Sequence, residues 1–267
     1  MIPLEPLGPN RFRLAVDQHL CVGHPDNQFL FGGAGMAAGL TAIETVTGRP
    51  TVWAAAQYLS YARPGTTLDL EVTVPVTGKY TSQARVVARA RNSDGGDAEI
   101  ITVNAALGVR PGQPEAQWAV MPDVPAPEAC PAFDYDWTRR PDDVNAGFDK
   151  RVAKGRFGKA RIDTEPSEDG IARLWIRPAS GIVDRTSLAL MADFLPSGVG
   201  NALGTAAGGN SLDNTIRFAR LVPTTWVLAD IRIHATAQGF AHGSAHLFAE
   251  DGTLLATASQ SLILRIR

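Results

Sequence analysis

Apolar and polar residues alternate with period two through LEVTVPV (70–76) and ARVVARA (84–90), a pattern that predicts strands burying one face each. The surrounding stretch is rich in Val, Thr, Leu and Tyr, residue types that suit a pleated, half-buried surface. Between Arg91 and Ile100 the run NSDGGDAE has the Asp-Gly-Gly chemistry of a tight connection and leads into another strand, IITVNAALGV (100–109). A hairpin or meander follows from this order. Ahead of the strands, GAGMAAGLTAIETVTG (33–48) predicts one helix, with Met36, Leu40, Ile43 and Thr47 along one face and Gly48 as its C-terminal stop.

From Arg110 to Asp143 the pattern breaks, and dense proline forbids a regular helix or central strand. Trp118, Val120, Met121, Phe133, Tyr135 and Trp137 in this stretch predict a linker lying against a surface. The first pattern then recurs. A strand, GIARLWIRP (170–178), precedes a helix over 184–194 with Asp184 as N-cap, followed by a glycine-rich loop over 198–210. Four strand-like segments complete the chain, SLDNTIRFAR, TTWVLADIRIHA, FAHGSAHLFAED and GTLLATASQSLILRIR. The order helix then four strands therefore occurs twice.

The copies superpose when Arg63 is set against Arg220 and Ala105 against Gln260, so an internal duplication is the better account of the chain. This predicts an α+β protein of two units, 1–109 and 146–267, joined by a Pro-rich linker over 110–145.

Composition narrows the function. The chain has 267 residues, 45% of them hydrophobic and 19% charged, enough to build a core in each unit. Lys and Arg number 25 against 27 Asp and Glu, which argues against a nucleic-acid or anionic-membrane footprint. Cys21 and Cys130 lie far apart without metal-ligand or disulfide spacing. The N-terminus lacks the features of a secretory signal, and no run approaches the roughly 18 apolar residues of a membrane-spanning helix. The expected location is the cytoplasm.

An ordered set of short motifs resembles the type II acyl-CoA thioesterase family across most of the chain. These are Phe31-Gly32-Gly33 opening the first helix, Arg63-Pro64-Gly65 after an aromatic strand, and Asp193-Phe194-Leu195-Pro196 closing the second helix. They continue with Ser211-Leu212-Asp213-Asn214-Thr215, with Phe218-Ala219, and with Asp251-Gly252, Leu254, Ala256 and Gln260. The resemblance implies a double hot-dog fold, each unit a curved antiparallel sheet wrapped around a central helix. It implies hydrolysis of an acyl-CoA substrate by a water held by Asp193, Ser211 and Gln260, without metal or prosthetic group. Exposed sheet edges in such folds commonly pair further, so a homo-oligomer is expected. Asn214 and Ala219 stand where the family has histidines, which changes the polarity around the acid.

The chemistry is coherent on its own terms, because a thioester is a good electrophile that needs an oriented, partly deprotonated water and stabilisation of the oxyanion. Gly32 and Gly33, before the first helix, are candidates for substrate binding through their backbone N–H groups, and Gly198–Gly200 are further candidates. Taken alone, Asp193 reads as a solvated or backbone-bonded carboxylate at a helix end, and Gln260 as a strand amide bonded across the sheet. Glu44 on the first helix is the rival acid, since single hot-dog thioesterases use an acidic residue there. His242 and His246 share a strand face in HGSAH but lack further ligands for a metal. Two competing functions are a non-hydrolytic acyl-CoA or lipid-binding protein and a hot-dog dehydratase, the latter lacking a His on the second helix.

Overall fold

A computed structural model describes residues 2–91, 97–135, 139–161 and 165–266. The chain opens with a hairpin, β1 (Glu5–Gly8) and β2 (Arg11–Ala15), and a short ribbon, β3 (Cys21–Val22) and β4 (Phe29–Leu30). Helix α1 (Gly32–Thr47) follows, then β5 (Thr51–Tyr58), β6 (Thr67–Thr77), β7 (Thr81–Arg91) and β8 (Asp97–Gly108). After the proline-rich stretch come β9 (Phe148–Lys154), β10 (Ile171–Pro178), α2 (Arg185–Ala192), α3 (Gly198–Leu203) and β11 (Ala207–Ser211). The chain ends in β12 (Asp213–Phe218), β13 (Val227–Ala237), β14 (Phe240–Ala249) and β15 (Leu254–Ile266).

All the long strands join one antiparallel sheet in the order β1-β2-β6-β7-β8-β5-β12-β15-β14-β13-β10-β9. The order is symmetric about the β5–β12 seam: reading outward, each half gives strands one, four, three and two after its helix, then the hairpin that precedes the helix. The duplication seen in the sequence is thus a duplication of topology, and the fold is a double hot-dog. The seam is a ladder from Trp53↔Arg217 to Gln57↔Asp213.

Helix α1 is buried nearly all round from Gly33 to Ile43, with no single apolar stripe, because the curved sheet wraps it and α2 packs on it. Small residues make that enclosure possible. Gly48 ends the helix in a left-handed conformation (φ 62°), its N–H donating to Glu44 O. Asp184 caps α2 through a reciprocal pair: its carboxylate accepts Ser187 N–H at 2.7 Å, and its own N–H donates to Ser187 Oγ at 2.8 Å.

Three expectations need correction. The segment 198–210 is not a loop but holds α3 and β11, because Gly198 lets α3 sit against Ile231 and Gly209 lets β11 approach Leu262 and Ile263. Trp118 and Val120 do not lie against a surface; they are 87% and 85% exposed, while their neighbours Ala119 and Met121 pack with Trp175, Trp226 and Phe248. An extended chain points alternate side chains in opposite directions. Trp137 and the turn over 92–96 lie outside the described residues.

The third concerns the alignment of the copies, which, carried back from Arg63 and Arg220, sets Ser211 against Ala54. Ala54 pairs with Ala105, but Ser211 pairs with Leu262, and Thr215 with Ser259. The register shifts by one residue between those last two pairs, at Leu212. Once Ala105 is matched to Gln260, the counterpart of Ala54 is therefore Asn214. The irregularity turns both Ser211 and Asn214 inward although they are three residues apart.

The sheet's two ends are blunted. β1 has four residues and carries Pro6, while residues 131–133 cover β9 through Phe133 N–H to Lys150 O and Val152 N–H to Pro131 O. A strand-paired oligomer would have to displace these covers.

Candidate active site

Asp193 sits at the C-terminal end of α2, where the chain turns toward α3, and its side chain is buried against the N-terminus of α1. Helix α1 has no side-chain acceptor of its own, since its N-cap residue is Phe31. The carboxylate from the other half of the chain takes that place: Oδ2 accepts the Gly33 N–H at 2.7 Å. The positive end of the helix dipole favours the anion there.

Both opening glycines are needed for this approach. A Cβ on Gly33 would stand 2.9 Å from Asp193 Cβ and from Leu190 Cα, and one on Gly32 would stand 2.8 Å from Asp193 Oδ2. In this arrangement the Gly33 N–H is taken by the carboxylate, so it is not available to an oxyanion. Gly198 is buried against Ile231 and its N–H donates to Leu195 O.

The other two candidates meet the same carboxylate. Asp193 Oδ1 accepts from Gln260 Nε2 in a short contact and from Ser211 Oγ at 3.3 Å, while Gln260 Nε2 also donates to Ser211 Oγ at 2.8 Å. Because Nε2 faces these acceptors, the orientation of the Gln260 amide is set, and its Oε1 points elsewhere. Burial pushes the Asp193 carboxyl up to about 6, and the donated hydrogen bonds from Gln260, Gly33 and Ser211 only partly oppose it. A carboxylate so placed can exchange a proton near neutral pH.

Two further residues surround the cluster that the sequence did not single out as functional groups. The Tyr58 hydroxyl, on the last residue of β5, lies 3.1 Å from the point above Gly32 where Asp193 Oδ2 lies at 2.8 Å. Asn214, wholly buried, is near enough to influence both Tyr58 and Asp193, yet neither its Nδ2 nor its Oδ1 makes a hydrogen bond of normal geometry. Only the departure at Asn214 from the family motif signalled this in the sequence; Tyr58 gave no signal.

The model of the acyl-CoA thioesterase C-terminal domain matches residues 127–264, slightly more than half the chain. The chain belongs to this acyl-CoA thioesterase family. The thioesterase is also similar over 98% of its length to 98% of a putative thioesterase from Novosphingobium aromaticivorans, at 36% identity and a TM-score of 0.87. It shares its fold with a hot-dog protein from Alicyclobacillus acidocaldarius (21% identity, 99% of this chain and 96% of that one, TM-score 0.82). The same holds for an acyl-CoA thioesterase II from Mycobacterium marinum (20% identity, 100% and 97%, TM-score 0.74). No curated protein matches the chain.

The remaining candidates of the thioesterase lie elsewhere. Glu44, on the last turns of α1, accepts the Thr51 N–H at 2.7 Å and has Arg185 Nε at 3.9 Å. His242 Nδ1 is 3.1 Å from Ser261 Oγ, and His246 meets the Phe248 ring edge-on. Among the described residues no group of three His, Cys, Asp or Glu side chains is placed to hold a metal ion, and no helix is long and apolar enough to cross a membrane.

Proposed function

We propose that this thioesterase hydrolyses a fatty acyl-CoA to a free fatty acid and CoA, with Asp193 as the group that accepts a proton from the attacking water. The observation that carries the reading is the convergence of Asp193, Ser211 and Gln260 into one buried, mutually hydrogen-bonded cluster against the α1 N-terminus. Ser211 and Gln260 hold the carboxylate's Oδ1, which keeps it in one orientation and leaves Oδ2 beside Gly33 and Tyr58 to meet the water. As the new C–O bond forms, the water's proton passes to Asp193. The tetrahedral intermediate then expels the CoA thiolate, and protonated Asp193 returns the proton to sulfur.

The chemistry belongs, on this reading, to the unit 146–267, with 1–109 contributing the helix terminus against which the acid is held and 110–145 connecting the two. In the first unit the buried pair Ala54 and Ala105 stands where the second has Asn214 and Gln260, so no polar centre is built there.

The test is thiol release from acyl-CoAs of graded chain length. Wild type should turn over at least one, Asp193→Asn should lose at least about 10³-fold in kcat, and Gln260→Ala about 10²-fold. A wild-type protein that binds acyl-CoA but releases no CoA above background is a binding protein, and the reading fails. Retained activity in Asp193→Asn with loss in Glu44→Ala would move the chemistry to the other end of α1.

A further inference from the structure

Around Asp193 the described residues leave four buried side-chain atoms without a hydrogen bond inside the protein: Tyr58 Oη, Asn214 Nδ2 and Oδ1, and Gln260 Oε1. Only two other such atoms occur among the described residues, Gln28 Nε2 and Thr51 Oγ1. Buried polar groups are nearly always paired, because an unpaired one forfeits its bonds to water, so four on a single patch call for a physical reason. They are neighbours by construction. Asn214 pairs across the seam with Ala56, Tyr58 is two residues further along β5 on the same face, and Gln260 lies one step beyond the Thr215↔Ser259 pair.

Three of the four atoms divide into donors and an acceptor in a way that fits a hydrolytic transition state. Gln260 Nε2 is committed to Asp193 and Ser211, so its Oε1 is an acceptor, suited to the second hydrogen of a water whose first faces Asp193. The Tyr58 hydroxyl and one edge of the Asn214 amide are donors that lie beside each other and Asp193 but make no hydrogen bond of normal geometry. We propose that Tyr58 and Asn214 are catalytic residues of this thioesterase, the phenol O–H and the amide Nδ2–H stabilising the oxygen of the tetrahedral intermediate. This rests on the reading in which Asp193 activates the water.

Attack on the thioester carbon places the carbonyl electron pair on oxygen, and the two donors bind that charge. Collapse restores the C=O bond, breaks C–S, and releases the donors. No proton leaves Tyr58 or Asn214. Burial, together with the charges of Asp193 and Asp213, holds the Tyr58 phenol well above its ordinary range, so the hydroxyl keeps its proton and serves only as a donor. Donors fixed in a site away from water stabilise developing charge without reorganising at the moment of reaction.

The test uses the full chain, with Tyr58→Phe and Asn214→Leu assayed for kcat, KM and thermal midpoint on the best acyl-CoA found for wild type. Each variant should lose about 10²-fold or more in kcat with KM within about threefold. Tyr58→Phe should melt at or above the wild-type temperature, since it deletes an atom with no partner. A purely structural role would lower the midpoint and leave kcat near normal.

Tyr58→Phe with kcat within about threefold of wild type, while Asp193→Asn is inactive, overturns the proposal and leaves the Asp193 reading standing. So does a loss confined to KM. If Asn214→Leu does not fold, Tyr58→Phe decides alone. A wild-type chain without thiol release overturns both.

Discussion

On the proposed mechanism, one side chain, Asp193, couples catalysis to stability. Its carboxyl, at about 6 in the fold against 3.8 as a free group, binds its proton more tightly when folded. The associated stability is fully present below about pH 4 and is lost as pH rises through about 6. Asn at this position cannot ionise. It can still accept the Gly33 N–H through its oxygen and donate its amide to a flipped Gln260. The stability difference between Asp193→Asn and wild type should therefore grow in favour of the variant by about 2 kcal/mol between pH 4 and pH 8. Urea unfolding at the two pH values measures this, and a difference that stays flat would show that the carboxyl is not buried as described.

Among elements, the meeting of α1 and α2 decides whether the site exists. Gly33→Ala would press a methyl group onto Asp193 Cβ, Leu190 Cα and the Phe31 ring at once, each 2.9 Å away. The helices must part, and Asp193 moves with α2. Gly48→Ala is the control: its φ of 62° makes any side chain strained, but nothing lies within 4 Å. Both should cost stability, on the order of 1–3 kcal/mol for Gly33→Ala and about 1 kcal/mol for Gly48→Ala. Only Gly33→Ala should reduce kcat, by tenfold or more on the scale expected for an ångström-sized misplacement. Equal kcat in the two variants would contradict the account.

Helix α1 was legible in the sequence because alanine and leucine between Gly33 and Gly48 leave little alternative to a packed helix. Helix α3 and β11 were not, because glycines at 198 and 209 look like loop residues when only their own conformational freedom is considered. Their use here is to let backbone approach side chains from distant strands, which no local pattern records. The same holds at the site. Asp193, Ser211 and Gln260 were legible through the ordered motifs of a family. Tyr58 sits at the end of an unremarkable strand and acquires its significance only through what β12 and α2 bring beside it.

At the scale of the molecule, the β5–β12 seam makes the two copies one cooperative body. Most buried side chains of both halves belong to one core that runs under the sheet, and Cys130, Trp175, Trp226, Leu228 and Phe248 form a second, smaller cluster in the second half. The alternation in β6 and β7 and the turn-bounded strand-like runs of β8 and β13–β15 were enough to predict the repeated strands, but not that the last β-ladder between the copies would run through the alanines of β5. Leu107 tests the consequence. It is fully buried on β8 in the first half, on the far side of β5 from the seam. Leu107→Ala should cost about 2–5 kcal/mol and lower the melting temperature by roughly 5–10 °C. Because the core is shared, the loss should appear in one transition, seen alike by far-ultraviolet circular dichroism and by the fluorescence of the buried second-half residues Trp175 and Trp226. A biphasic melt in which those tryptophans keep their wild-type midpoint would mean that the halves unfold independently and that the seam transmits little. In that case Asp193 would lose its partner at α1 whenever the first half opened, and activity would fall with the lower of the two transitions.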